Sequence, residues 1–295
     1  MFGNDANVKL LVHFDGGNGS TSFFDNSPVW PARPTAHTMT AFGTGQVDTS
    51  TKVFGSGSGK FQGLNAQVTT PDSSEFNLSN AVFTFDFRIR PNTLVAANHP
   101  IISQQDGAGG GWIIYYDDLF IYFQAAALTT GAVIGLYRAP HIMSTLTWYH
   151  WAIHRATGTQ MTFFRNGLAV AVTRVDNLSN KAVPHPSTAL TIGSTATLDC
   201  DGWIDEMRMS PGVVRWTGPR RRPSPTIPRR TRTCFATKPP TATLRRPTAP
   251  CSCPARNDLA LLLRFRRKSA LSFTTWRFDS DESSPTAISA QRVNR

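Results

Sequence analysis

Residues 82–89 read Val-Phe-Thr-Phe-Asp-Phe-Arg-Ile, and this alternation limits the possible folds more than any other feature of the chain. In an extended backbone Phe83, Phe85, Phe87 and Ile89 fall on one side, and Thr84, Asp86 and Arg88 on the other. A helix would scatter the same residues around its axis. Period 2 recurs through the first 218 residues, broken by Gly, Asn, Asp, Ser and Pro. Val8–Phe14, Trp148–Arg155, Met161–Ala171, Leu190–Ile192 and Gly202–Met209 all read as strands. Trp112–Tyr116 and Leu119–Phe123 flank Asp117-Asp118 and read as a hairpin, and Asn166-Gly167 is a turn signal because both residues tolerate positive φ. No helix-period segment of useful length competes. About a dozen strands without helices predict an all-β, two-sheet antiparallel sandwich. Trp112–Tyr116 and Trp148–Ile153 are apolar on both faces, which suits inner strands.

Composition enters where it divides the chain. Residues 1–218 hold 13 Lys+Arg and 15 Asp+Glu, a net of −2, whereas residues 219–295 hold 17 and 4, a net of +13. The overall +11 therefore belongs to the last segment. All Gly, Tyr and His lie in the first segment, and 3 of the 4 Cys in the second. The expected organisation is a folded domain over 5–217 and a basic, Pro/Arg-rich, largely disordered tail over 218–295. Pro219-Arg220-Arg221-Arg222-Pro223 opens that tail. It reads as a basic arm for phosphates, as a basic amphipathic helix over 258–273, or as an out-of-frame product of a truncated tandem-repeat protein. Nothing assigns nucleic acid to the folded domain. No run approaches 18 apolar residues, so no membrane span is expected, and the N-terminus lacks the pattern of a signal peptide.

The cysteines suggest incidental thiols, since Cys251-Ser252-Cys253 is too closely spaced for a zinc knuckle and has no His. His150 and His154 share a strand face about 13 Å apart, too far for one ion. Stacking on a sugar needs exposed rings with polar neighbours, and Trp112, Tyr116, Tyr122 and Trp203 are the candidates.

Several pieces, in order, resemble the laminin-G-like, concanavalin A-like jelly rolls found in bacteriophage virion and tail proteins. They are Leu10-Leu11-Val12-His13-Phe14-Asp15-Gly16, Ser20–Pro28, Phe54–Phe61, Phe83–Pro91, Trp148-Tyr149-His150-Trp151-Ala152, Phe164-Arg165-Asn166-Gly167 and Asp201–Arg208, spread over residues 8–216. The resemblance implies a jelly roll that recognises surface glycans or a cell-surface receptor, in a virion and beside other virion proteins. An accessory carbohydrate-binding domain and a structural spacer are the alternatives. It also implies that Asp15, Asp25 and Asp205 could hold a structural calcium; the ion wants six to eight oxygens. Some relatives are glycosidases with paired carboxylates about 5–5.5 Å apart. Here Glu75 and Glu206 are the only glutamates before the tail, and the adjacent Asp205 and Glu206 would point to opposite faces of a regular strand, so no catalysis is expected.

Overall fold

The computed structural model describes residues 5–29 and 35–216; the expected basic tail lies outside them. In chain order the first strands are β1 (Leu10–Val12), β2 (Thr40–Phe42), β3 (Gln46–Asp48), β4 (Ser58–Phe61), β5 (Gln67–Thr70), β6 (Phe83–Pro91), β7 (His99–Gln105) and β8 (Gly111–Tyr116). The rest are β9 (Phe120–Ala126), β10 (Val133–Pro140), β11 (Tyr149–Thr157), β12 (Gln160–Arg165), β13 (Leu168–Val170), β14 (Thr173–Asp176), β15 (Leu190–Gly193) and β16 (Gly202–Pro211). A single 3-10 turn, Ser74–Phe76, is the only helical element among the described residues. No helix among them is long and apolar enough to cross a membrane.

Two antiparallel sheets form the sandwich. The first runs β13-β12-β11-β6-β16-β4-β3, with β1 also pairing to β16; the second runs β14-β10-β9-β8-β7-β15-β5-β2. The expected all-β two-sheet architecture is therefore what the chain adopts. The alternation in β6 decides its orientation: Phe83, Phe85, Phe87 and Ile89 are fully buried between the sheets. Across the gap, Phe85 packs on Trp112 at 5.0 Å and Phe83 on Phe123 at 5.4 Å. Each large apolar side chain buried this way contributes roughly 1.5–3 kcal/mol. Trp151, Ile153, Phe163, Ile204, Met207 and Met209 complete the inner face of the first sheet, all of them buried.

One irregularity shapes the first sheet. Asp205 pairs with Arg88 and Arg208 with Asp86, so three steps on β16 match two on β6. This is a bulge, with Glu206 at φ 55°. It allows Ile204 and Met207, three residues apart, both to reach the core. Asp205 and Glu206 are thus not on a regular strand as the sequence suggested, and Glu206 turns aside to meet His13 Nδ1 at 2.8 Å.

The outer face of the first sheet is charged. Arg208 donates from Nε and Nη2 to the two carboxylate oxygens of Asp86, at 2.9 and 2.8 Å. Residues 212–216 then cross this face. The Arg215 amide donates to Thr84 Oγ1, and its guanidinium donates to both oxygens of Asp5 at 2.9 and 3.0 Å. Because β1 lies beside β16, with Leu10 opposite Met209, the two ends of the domain are clasped at one margin.

Candidate functional site

The outer face of the second sheet carries a compact aromatic and polar cluster. Ile113, Tyr115 and Tyr122 pack there, separately from the main core, with Phe120 and Leu136 against them. Register places Tyr115 on β8 opposite Tyr122 on β9, and Tyr122 opposite Arg138 on β10. The two tyrosine rings stack with centroids 4.6 Å apart and planes 7° from parallel. Phe120 meets Tyr122 edge-on at 6.1 Å, and the Arg138 guanidinium lies over the Phe120 ring at 4.3 Å. This is an aromatic platform bordered by a cation.

Hydrogen bonds fix the border. Asp117, in the tight β8–β9 connection, accepts from the amides of Leu119 and Phe120 through Oδ1, and from the Tyr122 hydroxyl through Oδ2 at 2.7 Å. The Tyr115 hydroxyl donates to Gln124 Oε1 at 3.4 Å. Burial pushes the Tyr115 phenol up to about 12, helped by Tyr122 and the Asp117 charge. Burial and the bond to Asp117 raise Tyr122 as well. Burial would raise Asp117, but its bonds from Tyr122, Phe120 and Leu119 hold it below the ordinary carboxylate value. At neutral pH the site thus holds two neutral phenols, whose rings are each 8 % exposed, with a charged acceptor, an amide and a guanidinium around them. These are the donors and acceptors that orient a polyhydroxylated ligand.

The four aromatic residues expected from the sequence divide by strand parity. Tyr122 belongs to this face. Trp112 and Tyr116 do not: the even-numbered members of β8 point into the sandwich, and the two are 1 % and 0 % exposed. Trp112 packs on Phe85, while Tyr116 donates to the Cys200 carbonyl oxygen at 2.9 Å and stacks on His99 at 4.8 Å. As exposed sugar platforms they are corrected to core. Trp203 lies on the outer face of the other sheet, where its Nε1 donates to Asp48 Oδ2 at 2.8 Å and Arg90 covers its ring at 4.6 Å. Sequence reasoning missed Tyr115, Phe120 and Arg138. The run 112–116 is apolar at every position and gave no alternation from which to read which of its rings face out.

The three aspartates expected to hold calcium do not converge. Asp25 accepts from the amides of Leu11, Ser27 and His37. Burial acts to raise its pKa, but these bonds outweigh burial and lower it. Asp205 Oδ2 accepts from the amides of Val53 and Phe54, and Asp15 Oδ1 accepts from Ser56. Asp15 and Asp205 therefore hold one loop and Asp25 another. Among the described residues no group of three or more His, Cys, Asp or Glu side chains is arranged to hold a metal.

Asp205 differs electrostatically from its neighbours. It is fully buried, its Oδ1 has no hydrogen-bond partner, and burial pushes its pKa up to about 6. His150 and His154 both sit on the outer face of the first sheet. His150 is 4.0 Å from Asp86 and 4.8 Å from the Trp216 ring; His154 is buried beside Phe164 at 5.4 Å. Cys200 is buried, and burial raises its thiol well above the ordinary value, which fits an incidental cysteine.

Comparison with known proteins agrees with this fold. The binding domain of Paraclostridial Mosquitocidal Protein 1 superposes with a TM-score of 0.53 at 13% identity, over 71% of this chain and 50% of that one. The botulinum neurotoxin serotype G binding domain gives 0.55 at 14% identity, over 71% and 49%. The serotype D ligand binding domain, in a complex with N-acetylneuraminic acid, gives 0.51 at 12% identity, over 71% and 48%. The chain spans about half the length of these structures. Among curated protein sequences none matches. The sequence profile of the concanavalin A-like lectin/glucanases superfamily matches residues 61–216, just over half of the chain. With that match, the two-sheet sandwich and the ordered series of strands in agreement, the chain belongs to the concanavalin A-like lectin/glucanases superfamily.

Proposed function

We propose that the sandwich is a non-catalytic recognition module that holds a saccharide of a surface glycan or receptor against the outer face of its second sheet. The observation that carries this reading is the parallel Tyr115–Tyr122 stack, bordered by Asp117, Gln124 and Arg138. Around that stack the partly exposed Phe120 and Leu136 offer apolar surface beside directional polar groups, as saccharide sites do. A neighbouring fold that takes N-acetylneuraminic acid gives the reading an analogy. The absence of catalysis is supported by Asp205: the carboxyl held near pH 6 is sealed beneath Val53 and Phe54, where no substrate oxygen can reach it. Placement on a virion or tail rests on the sequence resemblance.

The test is glycan-array binding by the full chain, followed by affinities for whatever glycan it captures. Tyr122→Phe nearly keeps the side-chain volume while removing the bond to Asp117, and Arg138→Gln removes the cation on a shorter polar side chain. Each is expected to weaken binding at least about tenfold. Capture of no glycan, or unchanged affinity in both variants, would overturn the assignment and favour a spacer.

A further inference from the structure

The outer face of the first sheet holds a second set of residues, which the tyrosine site does not use. Register aligns Gln46, Lys60, Trp203 and Arg90 in one row across β3, β4, β16 and β6. Neighbouring strands are about 4.8 Å apart, so Lys60 and Arg90 flank Trp203 with backbones about 10 Å apart. Arg88 lies two residues from Arg90 on the same face, about 7 Å along the strand. Arg90 stacks over Trp203 and Arg88 over Phe54, each at 4.6 Å.

These cations are held but not neutralised. Among the described residues no carboxylate lies within ion-pairing distance of Lys60, Arg88 or Arg90. Arg90 spends Nε on the Leu146 carbonyl oxygen at 3.1 Å, which fixes the side chain and leaves its terminal nitrogens available. Elsewhere on this face the arginines are used differently, since Arg208 is closed by Asp86 and Arg215 by Asp5. The nearby acids are committed. Asp48 accepts from the Trp203 indole and from Ser50, and Asp205 is buried beneath the amides of Val53 and Phe54. Stacking occupies guanidinium faces and leaves their N–H edges outward, the geometry that grips carboxylate or sulfate.

We propose that Lys60, Arg88 and Arg90, set around Trp203 and Phe54, form a binding site for an acidic polysaccharide. The exposed Phe54 ring supplies apolar surface at the margin, the buried Trp203 ring holds Arg90 in place, and the three cations supply partners for carboxylate or sulfate groups. This site is on the opposite side of the sandwich from the tyrosine site and does not depend on it.

The full chain, compared in dextran sulfate, polygalacturonate and uncharged dextran over a salt series, tests the proposal. The basic segment 219–295 attracts any polyanion, so variants of equal charge are compared. Arg88→Gln/Arg90→Gln should lose about tenfold or more in affinity for at least one acidic polymer. Arg174→Gln/Lys181→Gln, on exposed positions elsewhere, should lose less than about twofold. Which acidic polymer responds distinguishes carboxylate from sulfate. The bound polymer should also shift the Trp203 indole N–H resonance, assigned by Trp203→Phe. Equal losses in the two double variants, or none in either, would overturn the site. Dependence on Arg88 and Arg90 for single-stranded DNA alone would overturn the polysaccharide.

Discussion

Asp205 shows how much a single side chain can hold in reserve. Its folded-state pKa, about 6, lies above its ordinary 3.8, so the folded state binds the proton more tightly than the unfolded chain does. Stability should therefore be full at and below about pH 4 and fall as pH rises towards 6, by on the order of 2–3 kcal/mol. Asn at this position can still accept from Val53 and Phe54 through its oxygen, without the buried charge. Asp205→Asn is thus expected to be more stable than the parent at pH 7, with a gap that closes towards pH 4. Denaturant unfolding at the two pH values measures it, and a gap independent of pH would refute the account. At this scale the sequence was only partly legible. It named Trp112, Tyr116, Tyr122 and Trp203 alike as rings for stacking on a sugar. It could not assign Trp112 and Tyr116 to the core, because the run 112–116 is apolar at every position and gives no alternation from which to read parity.

At the scale of elements, the strongly alternating strands were plain and the interrupted ones were not. β6, β11 and β16 follow from their patterns. β7 was missed because it carries a proline, Pro100, whose missing N–H ordinarily argues against an inner strand. The register shift between Pro100 and Ile102 is where the sheet accommodates it. β10 was missed because Gly135 breaks its alternation, where the register with β9 shifts between Val133 and Gly135. The Asn166-Gly167 turn was read correctly: both residues have positive φ, 50° and 81°. It closes β12 on β13, and the Asn166 side-chain oxygen accepts from the His150 amide at 2.9 Å. A Cβ on Gly167 meets nothing within 4 Å, so only backbone strain opposes a side chain there. Gly167→Ala should cost about 1–2 kcal/mol in unfolding free energy. A neutral result would mean that the turn relaxes.

For the molecule as a whole, the partition of charge mattered more than its total. The sandwich is slightly acidic by count, yet Lys60, Arg88 and Arg90 share the outer face of one sheet and the tyrosine cluster lies on the other. Neither placement can be read from composition, because strand order and register decide which residues become neighbours. Lys60, Trp203 and Arg90 come from positions far apart in the chain and meet only because β16 lies between β4 and β6. The sandwich and its family were legible from local motifs, whereas the two binding surfaces needed the sheet.

The clasp of β1 on β16 has a mechanical consequence. The chain enters at Leu10 and leaves just after Met209, and these residues sit directly opposite one another. Tension applied through the two ends therefore loads the same end of an antiparallel pair. Its hydrogen bonds would break in succession, as a zipper opens, instead of resisting together in shear. Once the Asp5–Arg215 ion pair yields, β1 should peel away at low force while the aromatic core stays closed. Single-molecule stretching between residues 5 and 216 is expected to show a small early extension before the main rupture, and Arg215→Gln should lower the force of that first event alone.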